Sequence, residues 1–481
     1  MKQLTILLLV LSSAAIAQKK KGETPGKGFV QADIESKKQT YVQAARTIWS
    51  HAELGYLETK STALLQQMLS QAGFSVETGV AGMPTAFVAS YGSGQPVIGI
   101  LAEFDALPGL SQDSVPLRKP LVEGGSGHGC GHNLFGVGSA AAAIALKNWL
   151  HQQGRSGTIR LYGTPAEEGG SGKVYMVRAG LFSEVEAVLH WHPSSANQAS
   201  PESCLAVKQG TFRFRGKAAH AAMAPHVGRS ALDGVESMNY MANMMREHVP
   251  QETRIHYIIS KGGVAPNVVP EVAEVEYVVR HPDAKTLEDI WQRLVKCAEG
   301  AALGTETSMQ VEIASGSYNL LPNDPLARMM QNNLQAVGGV SYSASDRAFA
   351  EKLQQTFSYA APPLANAQQV EPYKTGGFFP ASTDVGDVSW VVPTAGLGIA
   401  TWVPGTVAHS WQAVACDGMS IGFNGMINAA KVLAMTGVDL FTNPGTLQEA
   451  RKELEKRRGN NFSYRALLGD RQPPLDYRKG R

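Results

Sequence analysis

The chain has 481 residues, 43% of them apolar and 17% charged, with a formal net charge of +2. That is ample for a folded core in two or three domains. Near charge balance excludes a polyelectrolyte surface, so no nucleic acid or acidic membrane is the expected partner; a small-molecule substrate is.

In chain order, "MKQLTILLLVLSSAAIAQ" combines Lys2, an apolar run from Ile6 to Leu11, and Ala15-Ile16-Ala17 in the small-x-small pattern that signal peptidase cuts. Residues 1–17 are expected to be an export signal, leaving a periplasmic or secreted protein. No run approaches the ~20 apolar residues that span a bilayer, so no membrane span is expected. From Val30 to Leu69 apolar residues recur at helical spacing. Strands, glycine-rich loops and helices then alternate through "PVIGILAEFDALPG", "GVGSAAAAIALKNWL", "GTIRLYGTPAEEGG" and "EAVLHWHP". That repetition predicts an α/β layer with its loops gathered at one sheet edge, where chemistry usually sits. From about Ser203 the texture becomes strand, helix, two strands, helix, strand, which is the βαββαβ order of a small two-layer α+β domain. Beyond Leu321 the α/β texture returns, so this domain reads as an insertion. The expected division is 30–202 and 319–440 for the α/β domain, 203–318 for the insertion, and 441–481 for a basic C-terminal tail. Its end, "YRALLGDRQPPLDYRKGR", is basic and proline-containing, and is expected to be solvated and partly disordered. Four cysteines, Cys130, Cys204, Cys297 and Cys416, are too few for a disulfide scaffold, although an oxidising compartment permits one bridge.

Four stretches carry metal-type chemistry. "GSGHGCGHNLFG" places His128, Cys130 and His132 at the mouth of a predicted helix. Glu167 and Glu168 follow the strand "TIRLYG"; adjacent carboxylates repel unless a cation lies beside them. One of them can bind metal while the other takes a proton from water whose pKa the ion has lowered. In "VLHWHP", His190 and His192 share one strand face, and the position nearer the loops favours His192 as ligand with His190 as neighbour. His409 lies in the late loop "GTVAHSWQ". Carboxylate, imidazole and thiolate together suit one or two divalent ions such as zinc or manganese.

The blocks "LAEFDALPG", "GHGCGHN", "GTPAEEGGSG", "FRGKAAHAAMAPHVGRSALD", "GGVAPNVVP" and "STDVGDVSWVVPT…HSW" together resemble, in collinear order over roughly residues 35 to 440, the M20 metallopeptidase and amidohydrolase family. They are most similar to its aminobenzoyl-glutamate hydrolase and N-acyl-amino-acid amidohydrolase branch. The resemblance implies a metal-dependent catalytic α/β domain with an inserted two-layer lid and dimerisation domain, two divalent ions (zinc or manganese), and a homodimer. It implies Cys130, His132, Glu168, His192 and His409 as metal ligands, Glu167 as general base, and Asp105 as an acidic neighbour of the site. In the insertion it implies His220 as the group that polarises the scissile carbonyl, and Asn267 with Arg280 as receivers of a substrate carboxylate. Asn133 departs from the family, many members of which have Asp after the Cys-Gly-His pair; this bears on the charge of the site and on metal preference. The implied reaction is hydrolysis of the amide of an N-acyl or aryl-acyl amino acid. The rival readings are a dipeptidase using the same site and an inactive metal or amino-acid binding protein, the latter having no use for a base such as Glu167.

Overall fold

A computed structural model describes residues 26–479; the expected export signal lies outside them. Twelve strands run in chain order as β1 (Ser75–Thr78), β2 (Phe87–Ser93), β3 (Val97–Ala102), β4 (Gly157–Gly163), β5 (Ala187–Ser194), β6 (Glu202–Cys204), β7 (Ala206–Arg215), β8 (Arg254–Lys261), β9 (Val272–His281), β10 (Ser308–Ser317), β11 (Gly377–Phe379) and β12 (Thr394–Ala400).

The larger sheet has the order β1-β2-β4-β3-β5-β12. Strands β4, β3, β5 and β12 are mutually parallel, and β1 and β2 run antiparallel at one edge. Parallel strands must be covered on both faces, which is why β3 reads as the unbroken apolar run VIGILA and is buried throughout. The helices His132–Gln153 and Ser420–Thr442 pack against each other and against this sheet. The first of them is apolar all round and almost wholly buried from His132 to Leu150, as expected of a helix inside a layer rather than on its surface.

The smaller sheet, order β10-β7-β9-β8, is wholly antiparallel. Burial alternates residue by residue along β7 and β9, so one face is covered and the other is not. The covering helices are Ala231–Met245 and Ala284–Gly304. Each starts at a side chain that accepts a free backbone N–H: Ser230 from Asp233 and Asp283 from Thr286. Phe212, Tyr277 and Trp291 anchor a hydrophobic core separate from that of the larger sheet. The βαββαβ order is thus present, inserted between two parts of an α/β layer.

The expected disorder of the C-terminal end is overturned. After the helix Pro444–Arg458 the chain lies along the molecule: Tyr464 Oη donates to Asp387 Oδ1 at 2.7 Å, Leu468 is buried, and Arg178 donates to the carbonyls of Gly469 and Arg471. Aromatic and leucine anchors spaced along a basic, proline-containing segment provide burial that its average composition does not register. All four cysteines are unpaired. Among the described residues no helix is long and apolar enough to cross a membrane.

Candidate active site

The parallel strands β3, β4, β5 and β12 all deliver their carboxyl ends to one edge, and the site is built there. Glu103 and Asp105 follow β3, Glu167 and Glu168 follow β4, His192 lies near the end of β5, and His409 follows β12. Cys130 and His132 enter at the start of the buried helix, where Gly131 takes a left-handed φ of 74° that turns the chain between them.

Two three-residue groups bring ligand atoms within 4.8 Å of one another: Cys130 with His132 and His192, and Cys130 with Glu168 and His409. Cys130 is common to both, so the five sequence-predicted ligands form one continuous cluster around its thiol. Cys130 Sγ lies 3.5 Å from His192 Nε2, and His409 Nε2 lies 3.2 Å from Glu168 Oε1. A third group, Glu103 with His132 and Glu167, joins the general-base candidate to the same cluster.

The imidazoles are aimed by their far nitrogens. His132 Nδ1 lies 2.9 Å from Asp105 Oδ1, and His192 Nδ1 lies 2.8 Å from the Pro193 carbonyl oxygen. Each contact takes the Nδ1 proton and points Nε2 at the cluster, so that its lone pair would face a bound cation, the arrangement metal-binding histidines use. Against burial, the acidic groups around His132 hold its pKa well above the ordinary imidazole value. Asp105 serves two groups, its Oδ2 accepting from the Glu168 backbone N–H at 3.0 Å.

Within this cluster Glu103 Oε2, His132 Nε2 and Glu168 Oε1 are buried and make no well-directed hydrogen bond; they face only one another and His409, Glu103 Oε2 at 3.0 Å from His132 Nε2 and Glu168 Oε1 at 3.2 Å from His409 Nε2. Carboxylates and imidazoles converging in this way, with a thiol beside them, fit a cation. Burial, and then the charges of Glu103 and Glu168, push the Glu167 carboxyl well above its ordinary pKa. Burial and then the Glu168 charge push the Cys130 thiol up. A bound divalent ion reverses both tendencies by favouring the anions.

His190 stands apart from the ligand groups. Its Nε2 is buried without a partner, and burial lowers its pKa to about 4, so the ring is neutral. It occupies space that a Cβ on Gly396 would fill, since such an atom would lie 2.2 Å from Nε2. His128, the other histidine of the glycine-rich loop, has Nε2 3.1 Å from the Ile48 carbonyl oxygen, and burial lowers its pKa to about 3; it serves the loop, not the cluster. Asn133 donates to the carbonyls of Ala45 (3.3 Å) and Asp417 (3.1 Å). An ionised aspartate could donate to neither, which gives the family departure a local physical reason.

The residues that sequence reasoning missed are Glu103, Lys173 and Asp384. Lys173 Nζ, fully buried, lies 2.6 Å from both Glu103 Oε1 and Asp384 Oδ1, and Glu103 Oε2 lies 3.0 Å from His132 Nε2. Glu103 is two residues before Asp105 in an extended segment, a spacing that could have suggested a shared face.

The insertion's residues are not in the cluster. His220 and Asn267 are both exposed and lie beside each other, the Ala221 N–H donating to the Asn267 carbonyl at 3.1 Å. His220 Nδ1 accepts from the backbone N–H groups of Ala222 (3.2 Å) and Met223 (3.1 Å), so the neutral ring carries its proton on the outward Nε2. Arg280, half-buried near the end of β9, donates to Ser382 Oγ at 3.3 Å and lines a cleft with Arg254, His256, Glu252 and Phe378. Ser382 is two residues from Asp384, the partner of Lys173.

Residues 99–413 match the model of peptidase family M20/M25/M40. The chain is 42% identical, over 89% of its length and 94% of the relative's, to one of the subunits of the p-aminobenzoyl-glutamate hydrolase of Escherichia coli. It is 30% identical, over 85% of its length and 88% of the relative's, to Xaa-Arg dipeptidase of Mus musculus. A solved structure of a Bacillus subtilis dinuclear metal-binding peptidase of the M20 family superposes with a TM-score of 0.56 at 17% identity, covering 85% of this chain and 99% of the other. With its fold, its cluster of metal-type donors and most of its length in register with the family, the chain belongs to peptidase family M20/M25/M40 and is a hydrolase of that family.

Proposed function

We propose that the protein is an exported amidohydrolase that cleaves N-acyl or aryl-acyl amino acids of the aminobenzoyl-glutamate kind with two divalent ions, zinc or manganese. Cys130, His132 and His192 would hold one ion and Cys130, Glu168 and His409 the other. When bound, such a pair supplies an acidified water and polarises the scissile carbonyl. Glu167, kept anionic by the neighbouring ions, removes a proton from the attacking water and returns it to the leaving nitrogen. His220 donates from Nε2 to the carbonyl oxygen as negative charge develops there.

The observation that carries the substrate reading is the cleft containing Arg254, His256 and Arg280, three cationic or protonatable side chains against one carboxylate, Glu252. Such a surface suits an acidic leaving amino acid, whose carboxylate Arg280 can grip in a fork. Asn267, in the loop between β8 and β9, lies at the far end of that hairpin from Arg280 and would reach the same carboxylate only from a second copy of the chain. The E. coli relative's substrate name, p-aminobenzoyl-glutamate, agrees with it. The likeness to Xaa-Arg dipeptidase keeps a dipeptidase as the second reading, in which the substrate carries a free α-amine.

A homodimer is supported by the lid, whose edge strand β8 exposes Ile258 and Ile259 and whose helix Ala231–Met245 exposes Tyr240 and Met244. Exposed in its own chain, His220 would then serve a partner's site. Purification with manganese or zinc, followed by amino-acid release from a panel of acylated amino acids and dipeptides, tests the reading. Preference for acylated acidic amino acids supports it, whereas cleavage confined to substrates with a free α-amine replaces it with the dipeptidase. Light scattering of the purified chain separates a homodimer from a monomer.

A further inference from the structure

The turn that carries the two glutamates is held from several sides. Ala166 and Ser171 bracket it at φ 57° and 60°, a left-handed conformation that non-glycine residues keep only when their surroundings impose it. Glu58 accepts from the Ala166 N–H at 2.9 Å, Asp105 from the Glu168 N–H at 3.0 Å, and Tyr56 Oη donates to the Gly170 carbonyl at 2.7 Å.

One further hold comes from the far end of the chain. Tyr477 Oη donates to the Glu168 carbonyl at 3.1 Å and Arg478 Nη2 donates to the same oxygen at 2.6 Å. The Tyr477 ring meets Tyr56 edge-on with centroids 5.7 Å apart, and the Arg478 guanidinium lies 4.9 Å from the Tyr477 ring centroid. The approach is close: a Cβ on Gly55 would lie 2.3 Å from Tyr477 Oη. Asp105 therefore fixes the amide of Glu168 while Tyr477 and Arg478 fix its carbonyl. With both peptide planes set, the direction of the Cα–Cβ bond is set, and with it the line from the Glu168 carboxylate to Cys130 and His409.

We propose that the C-terminal end of the chain is a strap that positions the active site, with Tyr477 and Arg478 as positioning residues that act through the Glu168 carbonyl. The proposal rests on the reading of Glu168 as a metal ligand. It makes the end of this chain a part of the catalytic turn, so that removing or displacing the strap slackens the metal site without touching a ligand.

The test uses full-length protein carrying Tyr477→Phe, Arg478→Ala, both together, or Arg478→Lys, with Glu168→Gln as reference. Manganese affinity is measured on metal-free protein by competition with a chelating dye, and kcat and KM at saturating manganese. Tyr477→Phe keeps the ring against Tyr56 and loses only the donor, so it remains informative if the double variant does not fold. Outer contacts to metal ligands are worth about 10-fold to 100-fold in affinity or activity, so the double variant should bind manganese roughly 10-fold more weakly and lose a similar factor in kcat. Tyr477→Phe should show part of both losses, KM should stay within about twofold, and Arg478→Lys should recover most of what Arg478→Ala loses. Unchanged manganese affinity and kcat in Tyr477→Phe and in Arg478→Ala, while Glu168→Gln weakens binding, overturn the strap. Unchanged affinity in Glu168→Gln overturns the ligand reading on which it stands.

Discussion

The metal-type cluster and the lid residues are two halves of one proposed site, built on opposite plans. Three of the five donors in the cluster are aimed by a group outside it: His132 by Asp105, His192 by the Pro193 carbonyl, Glu168 by Asp105 and the end of the chain. His220 and Asn267 are exposed and held mainly through backbone contacts. The contrast marks where precision is required before substrate arrives. Ligands must converge in advance because converging carboxylates and a thiol without a cation oppose one another. A hydrogen-bond donor to the carbonyl is needed only in the closed complex, so it can wait on a surface that moves or on a second copy of the chain.

The sharpest separation of the two halves is in stability. Lys173 is buried between Glu103 and Asp384, and removing one member of such a group strands the others' charge. Lys173→Met should cost about 3–5 kcal/mol in urea unfolding, whereas His220→Ala should stay within about 0.5 kcal/mol. Comparable losses in the two would erase the contrast between a built half and a waiting half.

Turnover should then unite what stability separates. Glu167→Gln should keep its metal and lose at least ~100-fold in kcat as a missing base, and His220→Ala should lose a similar ~100-fold as a missing oxyanion donor. Mixing the two inactive variants under subunit exchange should restore activity if His220 works across a dimer. Proven exchange without recovered activity would confine His220 to its own chain or remove it from the reaction.

Metal affinity should divide the halves again, at a smaller scale. Asp105→Ala releases the His132 ring and the Glu168 backbone together and should weaken manganese binding about 10-fold to 100-fold. Asn267→Ala and Arg280→Ala should leave manganese binding alone and raise KM about 10-fold for substrates with a free carboxylate only. Equal losses with amidated substrates would take both residues out of the carboxylate pocket.

The smallest effect concerns the contact between the C-terminal segment and the catalytic layer. Burial pushes the Asp387 carboxyl up to about 7, against the opposing hydrogen bonds from Tyr464 Oη and the Tyr318 N–H. An unfolded aspartate titrates near ~3.9, so between about pH 4 and 7 the folded chain holds a proton that the unfolded chain has lost. Stability therefore falls as pH rises through that window. Asp387→Asn cannot ionise, so its melting temperature relative to the parent should improve from pH 5 to pH 8. A difference that stays flat or runs the other way would show that Asp387 is ionised in the fold.

The cluster was legible in the sequence because metal ligation demands rare residue types at element ends, and Cys130, His132, Glu168, His192 and His409 are all of that kind. The βαββαβ insertion was legible because strand alternation and helical spacing are local signals, repeated clearly in β7, β9 and the helix Ala284–Gly304. Lys173 and Asp384 were not, since a lysine after a glycine-rich turn and an aspartate more than two hundred residues later reveal their pairing only when the sheet brings both beside Glu103. The C-terminal segment was misread for a related reason. Its basic, proline-containing composition is that of a solvated tail, and composition registers average burial, not the few aromatic anchors that govern docking. Local pattern was thus enough to say which metal-type residues would converge and on which elements they would ride. Which distant groups aim them came from the folded chain alone, because a hydrogen bond such as that from Arg478 to the Glu168 carbonyl depends on separation in space, and no local pattern encodes that.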